Sequence, residues 1–364
     1  CHGDLTAADL GQKRSEKRCR RAAGATMPPF IAPMLWQPEL PEKYHRMSED
    51  DLGQAITARR RELGSKLLIL GHHYQQDDVV RHADLVGDSL KLSQMAAAEA
   101  PKRGAKWIVF CGVHFMAESA KVLNPEKTVL LPNIAAGCSL ADSITAASLL
   151  EWKERYPDHS VVTYVNSTAE VKALSDICCT SANAVSVVRS LDTDKILFTP
   201  DRNLGRWVAE QVPEKEIVIY DGCCPVHDVM RGADMRQTIE KSAGDAIVIA
   251  HPECRQDVLA LADEICSTTK MITIPAKYPE SKTFIVATEN GIIHQLKKRY
   301  PDREFVLADG CIGCRLHCPY MKVTTLEDVK NALVNDEFEV TVPPDDLAGA
   351  RRSLERMLAV PRDN

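Results

Sequence analysis

Apolar and polar residues alternate along this chain in a regular rhythm. Short apolar runs rich in β-branched residues recur at 67–70, 107–110, 128–131, 161–165, 196–198, 217–220, 246–250, 283–287 and 305–308. The gaps between them are about one helix long. Near-continuous apolar strands separated by helices are the pattern of parallel sheets buried on both faces. Ser48–Leu63 reads as a leading helix. Ser48 caps it, Glu49 to Asp51 sit at its positive end, and Leu52, Ile56 and Leu63 form a buried stripe. Asp345–Leu358 reads as a last helix.

The nine runs sort into three groups of three, and a polar signature recurs with them. Asp84, Asp176 and Asp263 each have a small hydroxyl five residues later: Ser89, Ser181 and Thr268. Ten residues before each Asp stands Tyr74, Asn166 or Glu253, and twelve before stands His72, Tyr164 or His251. Pro125, Pro213 and Pro301 precede the last run of each group at an even spacing of 88. Units of this size with strands and helices of their own are copies of a domain rather than solenoid repeats. The expected fold is α/β: three pseudo-symmetric copies of a small parallel-sheet, three-layer αβα domain around a central site. The expected units are 48–150, 151–240 and 241–335, then a tail and helix at 336–364. Residues 1–47 read as an arm, disordered or vector-derived, with a basic cluster from Lys13 to Arg21. An organelle-targeting remnant is weakened by Asp4, Asp9 and Glu16.

Ligands of parallel α/β domains meet the loops at the carboxyl ends of strands. The pairs His72/Tyr74, Tyr164/Asn166 and His251/Glu253 fall there. Each Asp is expected on a helix, and each Ser or Thr at the start of the next one. There it would serve as a simple cap or as part of an anion cradle. His251 two residues from Glu253 suggests acid–base work. Three such faces turned inward suit a small, multiply anionic molecule.

Composition narrows the picture. A formal charge of −6 argues against nucleic acid as a partner, and no apolar run approaches the roughly 20 residues of a membrane span. Thirteen cysteines with no secretory signal point to a reducing, cytoplasmic setting. Cys111, Cys178, Cys179, Cys254 and Cys266 suit buried packing. A cysteine turn follows the third run of each copy, carrying Cys138, then Cys223 and Cys224, then Cys311, Cys314 and Cys318. Three thiols near a common axis are one short of a closed zinc site. They suit a [4Fe–4S] cluster with one open iron. Cys311-x-x-Cys314 as half a zinc site or a redox pair is the local alternative.

HHYQ (72–75), GDSL (87–90), CSLADS (138–143), YVNS (164–167), CTSAN (179–183), CPVH (224–227), HPEC (251–254), CST (266–268) and CPYMK (318–322) resemble the quinolinate synthase family over about residues 50–360. That resemblance implies three α/β domains around one cluster. It also implies condensation of iminoaspartate with dihydroxyacetone phosphate to quinolinate, phosphate and water in NAD biosynthesis. Carried over by motif, the ligands are Cys138, Cys224 and Cys318; Cys311 and Cys314 are not, and no residue of 71–89 touches metal. His72, Tyr164 and Asn166 would hold carboxylates, and Ser89, Ser181 and Thr268 would bind phosphate. Tyr74, His251 and Glu253 would move protons. His73 replaces the family's usual Asn, with little consequence expected. A functional link to an aspartate-oxidising enzyme and a monomer or homodimer are expected. Another [4Fe–4S] hydro-lyase on a small hydroxy-acid, or a non-catalytic zinc or redox-sensing scaffold, are the alternatives.

Overall fold

A computed structural model describes residues 47–242, 245–308 and 316–363. Cys311 and Cys314 lie outside the described residues. The first helix runs Glu49–Leu63, and Ser48 and Asp51 form the expected capping box.

Twelve strands among the described residues form three four-stranded sheets. The first holds β1 (Leu67–His72), β2 (Leu85–Gly87), β3 (Trp107–Cys111) and β4 (Thr128–Leu130). The second holds β5 (Ser160–Tyr164), β6 (Ile177–Cys179), β7 (Lys195–Thr199) and β8 (Glu216–Ile219). The third holds β9 (Ile247–Ala250), β10 (Glu264–Ile265), β11 (Thr283–Ala287) and β12 (Glu304–Leu307). Every pairing is parallel and every sheet has the order second, first, third, fourth. Strand order therefore reverses between the first and third strand of each sheet. The loops leaving those strands diverge and open a crevice at their carboxyl ends.

Alternation within the strands shows why the runs are apolar throughout. Leu68, Leu70, Ile108 and Phe110 face one core together with Val162 and Phe198 of the second sheet and Phe284 and Val286 of the third. Their neighbours Leu67, Ile69 and Val109 face an outer cluster with Ile56, Val329 and Leu333. The other two sheets have outer clusters of their own, around Val161 and Leu197 and around Val248 and Ile285. The three inner faces thus share one core, and each sheet is covered on both sides. Each fully buried Leu or Ile contributes about 1.5–3 kcal/mol relative to exposure.

Two expectations need correction. The edge strands β2, β6 and β10 fall where the motif was read as helical. Asp84, Asp176 and Asp263 stand in the bends just before them, not on helices. Each carboxylate accepts the N–H of a residue in the sheet's first strand (Ile69, Val161 or Val248), all at 2.8 Å. The edge strands are two or three residues long. A side-chain acceptor therefore replaces the strand carbonyl that is missing. The repeated Asp is a structural device. Ser89 and Thr268 do open helices, but Ser181 lies in the turn before helix Ala184–Arg189.

The last helix, Pro344–Leu358, packs on helix Ala169–Ala173 and on β6. Gly349 permits this approach: a Cβ there would lie 2.6 Å from the Ala173 carbonyl oxygen.

Candidate active site

One cavity of about 310 Å³ opens where the carboxyl ends of the three sheets converge. His72, Tyr74, Ser89, Tyr164, Asn166 and Ser181 line it, as do His251, Glu253, Thr268, Cys138, Cys224 and Cys318. All twelve residues singled out from the sequence therefore meet in one place. They arrive by the same route in each copy. His72 and Tyr164 end β1 and β5, and His251 directly follows β9. The hydroxyls follow the edge strands, and the cysteine turns follow the fourth strands.

Glu253 lies at the centre and is 4% exposed. Its Oε2 lies 3.2 Å from His227 Nδ1 and 3.1 Å from His251 Nδ1. The two imidazoles stack, with centroids 4.8 Å apart. Burial pushes the Glu253 carboxyl up, but the facing imidazoles outweigh it and hold the group below the usual range. Burial also lowers His227 to about 4, so its ring is neutral at pH 7. A neutral His227 has one N–H and one bare ring nitrogen, so it can pass a proton between the Glu253 carboxylate and the far side of the ring. Its Nδ1 also lies 3.2 Å from Cys224 Sγ, and His251 Nδ1 accepts the Glu253 backbone N–H, 3.4 Å away. His227 Nε2 then meets the Thr288 hydroxyl at 2.8 Å, and Thr288 meets the Tyr74 hydroxyl at 2.5 Å. His251 Nε2 meets the Ser181 hydroxyl at 3.1 Å. A continuous chain of close polar contacts therefore runs from Tyr74 to Ser181 through Thr288, His227, Glu253 and His251. The other oxygen of Glu253, Oε1, has no hydrogen-bond partner among the described residues. Asn166 Oδ1 is likewise buried and unpaired. An unsatisfied buried acceptor is costly and needs an explanation. Two of them in one cavity mark it as built for a ligand.

His72 accepts the Tyr74 N–H at its Nδ1, 3.2 Å away. Its Nε2 therefore carries the proton. Burial, aided by the neighbouring His73, lowers its pKa to about 3. The ring is a neutral N–H donor. Burial raises the Tyr74 and Tyr164 hydroxyls well above their ordinary value, so both stay protonated.

The cysteine turns share a local design. Cys224 and Cys318 each precede a proline that opens a helical turn. Backbone N–H groups two or three residues on point at each sulfur: those of Leu140 and Ala141 for Cys138, of His227 for Cys224, and of Tyr320 and Met321 for Cys318. Burial pushes Cys138 up to about 12 and raises Cys224 and Cys318 too, so as free thiols they stay protonated. Partly exposed, unbridged thiols aimed at one cavity, each with N–H donors for a thiolate, fit an iron–sulfur cluster. Cys111, Cys178, Cys179, Cys254 and Cys266 are buried, as packing cysteines should be. His73 does not line the cavity and bonds Gln295 and Thr269.

Several residues here were not anticipated. Asp201 and Glu289 are fully buried carboxylates directly behind two of the cysteines. Asp201 accepts the Cys224 N–H at 3.1 Å and the Leu204 N–H at 2.7 Å. Glu289 accepts the Cys318 N–H at 3.1 Å and the Gly291 N–H at 2.6 Å. Positions 201 and 289 are 88 apart, the same interval as the prolines, and 88 before Asp201 stands Val113. That register was a readable signal. His227 sits inside the CPVH motif, and only the fold reveals its partners. Thr288 had no signal beyond its place after a strand, and Asp88 stood only as the second residue of GDSL.

A triplicated parallel α/β fold with one cysteine and one set of polar groups from each copy defines a single-site, three-repeat enzyme. The chain belongs to the quinolinate synthetase A protein family, whose profile matches residues 54–359. It is 49% identical over 317 residues to a quinolinate synthase of Geobacter metallireducens, covering 87% of this chain and 100% of the relative. It is 50% identical over 296 residues to that of Geotalea uraniireducens (81% and 94%). To that of Synechocystis it is 46% identical over 312 residues (85% and 95%). No helix among the described residues is long and apolar enough to cross a membrane.

Proposed function

We propose that this enzyme condenses iminoaspartate with dihydroxyacetone phosphate to give quinolinate, phosphate and water. We take 48–150, 151–240 and 241–335 as its three units. The chain of polar contacts from Tyr74 to Ser181, with the other oxygen of Glu253 in the same cavity, carries this reading. The condensation needs protons removed from carbon and delivered to departing hydroxyls, and a buried relay between several groups does both.

Cys138, Cys224 and Cys318 would hold the [4Fe–4S] cluster. Bound there, it would supply a Lewis acid through the iron that has no protein ligand. His72 offers an N–H and Tyr164 an O–H to substrate carboxylates. Asn166 offers its amide. Ser89, Ser181 and Thr268 offer hydroxyls to the phosphate. Glu253 Oε1 takes a proton from substrate carbon. The ring of His227 takes that proton at Nδ1 and releases one from Nε2 towards Thr288. Tyr74, protonated at working pH, returns a proton to a leaving hydroxyl and draws a replacement through Thr288 and His227. An aspartate-oxidising enzyme would supply the imine. Work in the cytoplasm as a monomer or homodimer fits these substrates.

Glu253→Gln tests the assignment. It keeps the shape but offers an amide in place of the proton acceptor. Quinolinate formation should fall by a factor on the order of 10² to 10⁴ with iron content unchanged. An unchanged rate would remove Glu253 from the chemistry. A second reading has an observation of its own: Cys224 Sγ, His227 Nδ1 and a Glu253 oxygen lie within 4.8 Å of one another, a donor set for one divalent ion. Metal analysis after anaerobic purification separates the two. About four irons per chain fits the cluster; one zinc fits the alternative.

A further inference from the structure

The segment after the last helix reaches two of the three hydroxyl-bearing turns. The Arg362 guanidinium grips Asp88 with two parallel bonds, Nη1 to Oδ2 and Nη2 to Oδ1, both 2.8 Å. Asp88 immediately precedes Ser89 and itself lines the cavity. It caps helix Ser89–Arg103 by accepting the Lys91 N–H at 2.8 Å, and its own N–H donates to Thr269 next to Thr268. Asp363 fixes the segment from the other side. Its N–H donates to the Ala182 carbonyl, and its carboxylate accepts the N–H groups of Ser186 and Val185. Residues 362 and 363 therefore tie the turn beside Ser89 to the turn beside Ser181.

Capping alone does not explain this arrangement. Asp88 caps its helix through Lys91 without help from an arginine. A cation beside a helix N-terminus opposes the helix dipole. The arrangement makes sense for an anion. A carboxylate facing the place where a phosphate is to sit repels it, and bidentate pairing with Arg362 cancels that charge while fixing Ser89 in place. Burial pushes the Asp88 carboxyl up, yet Arg362 and the Lys91 N–H hold it far below its ordinary value, so it is ionised and in need of that partner.

We propose that Arg362 is a positioning residue for the phosphate-bearing substrate: it neutralises Asp88 and sets Ser89 for anion binding, while Asp363 aims it. The proposal rests on the reading of Ser89, Ser181 and Thr268 as the phosphate site.

The test uses the iron-loaded enzyme and inorganic phosphate as a competitive inhibitor. Arg362→Ala should weaken phosphate inhibition and raise KM for dihydroxyacetone phosphate, each by on the order of tenfold. KM for the dicarboxylate substrate and kcat should stay within about twofold. Arg362→Lys should recover part of the loss. The double variant Asp88→Asn with Arg362→Ala should recover most of it, since Asn still caps the helix and no charge is left to cancel. A purely structural latch would instead lower kcat, raise both KM values and worsen in the double variant; that outcome overturns the proposal, as does no change in Arg362→Ala. Ser89→Ala and Ser181→Ala, run in parallel, separate the two readings. If they weaken phosphate inhibition and Arg362→Ala does not, the phosphate site stands and the role of Arg362 falls. If they leave it unchanged, the site reading fails and the proposal with it.

Discussion

The first repeat and the other two differ most at one position. At 201 and 289 a buried carboxylate hooks the backbone of a cysteine turn; at 113 the same register holds Val, 2% exposed. The difference extends outward. Around Asp201 and Glu289 lie His227, Thr288, His251 and Glu253, the connected polar machinery. Around Val113 the cavity wall is Phe115, Met116 and Leu140. The backbone is threefold and the chemistry is not. A symmetric site would suit a symmetric ligand. On the roles proposed above, two repeats would carry most of the proton traffic, and one supplies an apolar wall with His72 and Tyr74 at its edge. That division suits a substrate pair with a reacting end and a spectator face.

The largest effect should come from what the repeats still share. Cys318→Ser should abolish cluster retention and product formation, read as irons per chain after anaerobic reconstitution. Cys138→Ser should do the same despite its different surroundings. A Cys138 variant that kept its full complement would break the threefold assignment at the first repeat.

Exchanging the diverged residues comes next. Val113→Asp places a carboxylate where no compensating donors are arranged, and should cost about 3 kcal/mol or more in denaturant unfolding. Asp201→Ala strands two buried N–H groups and removes a helix cap, a loss of roughly 2–4 kcal/mol. Asp201→Asn keeps an acceptor oxygen and should lose less than half of that. Were Val113→Asp tolerated, the first repeat would be polar-competent and the comparison would lose its force.

This asymmetry also marks how far the residues could be read before the fold was known. The other nine strands, the repeat and the twelve cavity residues were visible because each depends on local pattern or on register. Edge strands β2, β6 and β10 were missed because two or three residues straight after an Asp turn make no apolar run of their own; β4 is as short, but its apolar run continues to Leu131. The pairing of His227 with Glu253, of Tyr74 with Thr288, and of Arg362 with Asp88 joins residues far apart in the chain; no periodicity encodes them. Asp201 and Glu289 stand between these cases, readable from the 88-residue register once Pro125, Pro213 and Pro301 set it.

A smaller effect separates His72 from its counterpart His251. His251 lies 3.1 Å from the Glu253 carboxylate, whereas the carboxylate that acts on His72, Asp88, is already paired with Arg362. Burial, then the charge of His73, drops His72 to about 3, below its unfolded value of 6.5. The unfolded chain then binds the proton first as pH falls. The contribution of neutral His72 is therefore intact above about pH 6.5 and is lost progressively toward pH 3. Its share is about 1.4 kcal/mol per pH unit. Unfolding midpoints measured at pH 7, 6 and 5 should fall less steeply in His72→Asn than in the parent. Parallel slopes would mean that His72 is not held neutral by burial.

The smallest effect tests the feature that all three repeats keep unchanged. Asp84, Asp176 and Asp263 recur as regularly as the cavity residues, yet each one's strand contact is to its own sheet, accepting the N–H of Ile69, Val161 or Val248 at 2.8 Å. Recurrence alone therefore does not mark a catalytic group. Asp263→Asn keeps an acceptor and exchanges a charged hydrogen bond for a neutral one, a loss of about 1 kcal/mol. Asp84→Asn should lose slightly more. Asp84 also meets Arg60 in an ion pair whose side chains are 31% and 18% exposed, and such pairs add about 0–1 kcal/mol. Both variants should turn over substrate at the parent rate at 25 °C while melting a few degrees lower. If either lost turnover with its melting temperature unchanged, the aspartates would belong to the site after all. The line drawn here between what the repeats share for folding and what they have diverged for chemistry would then have to move.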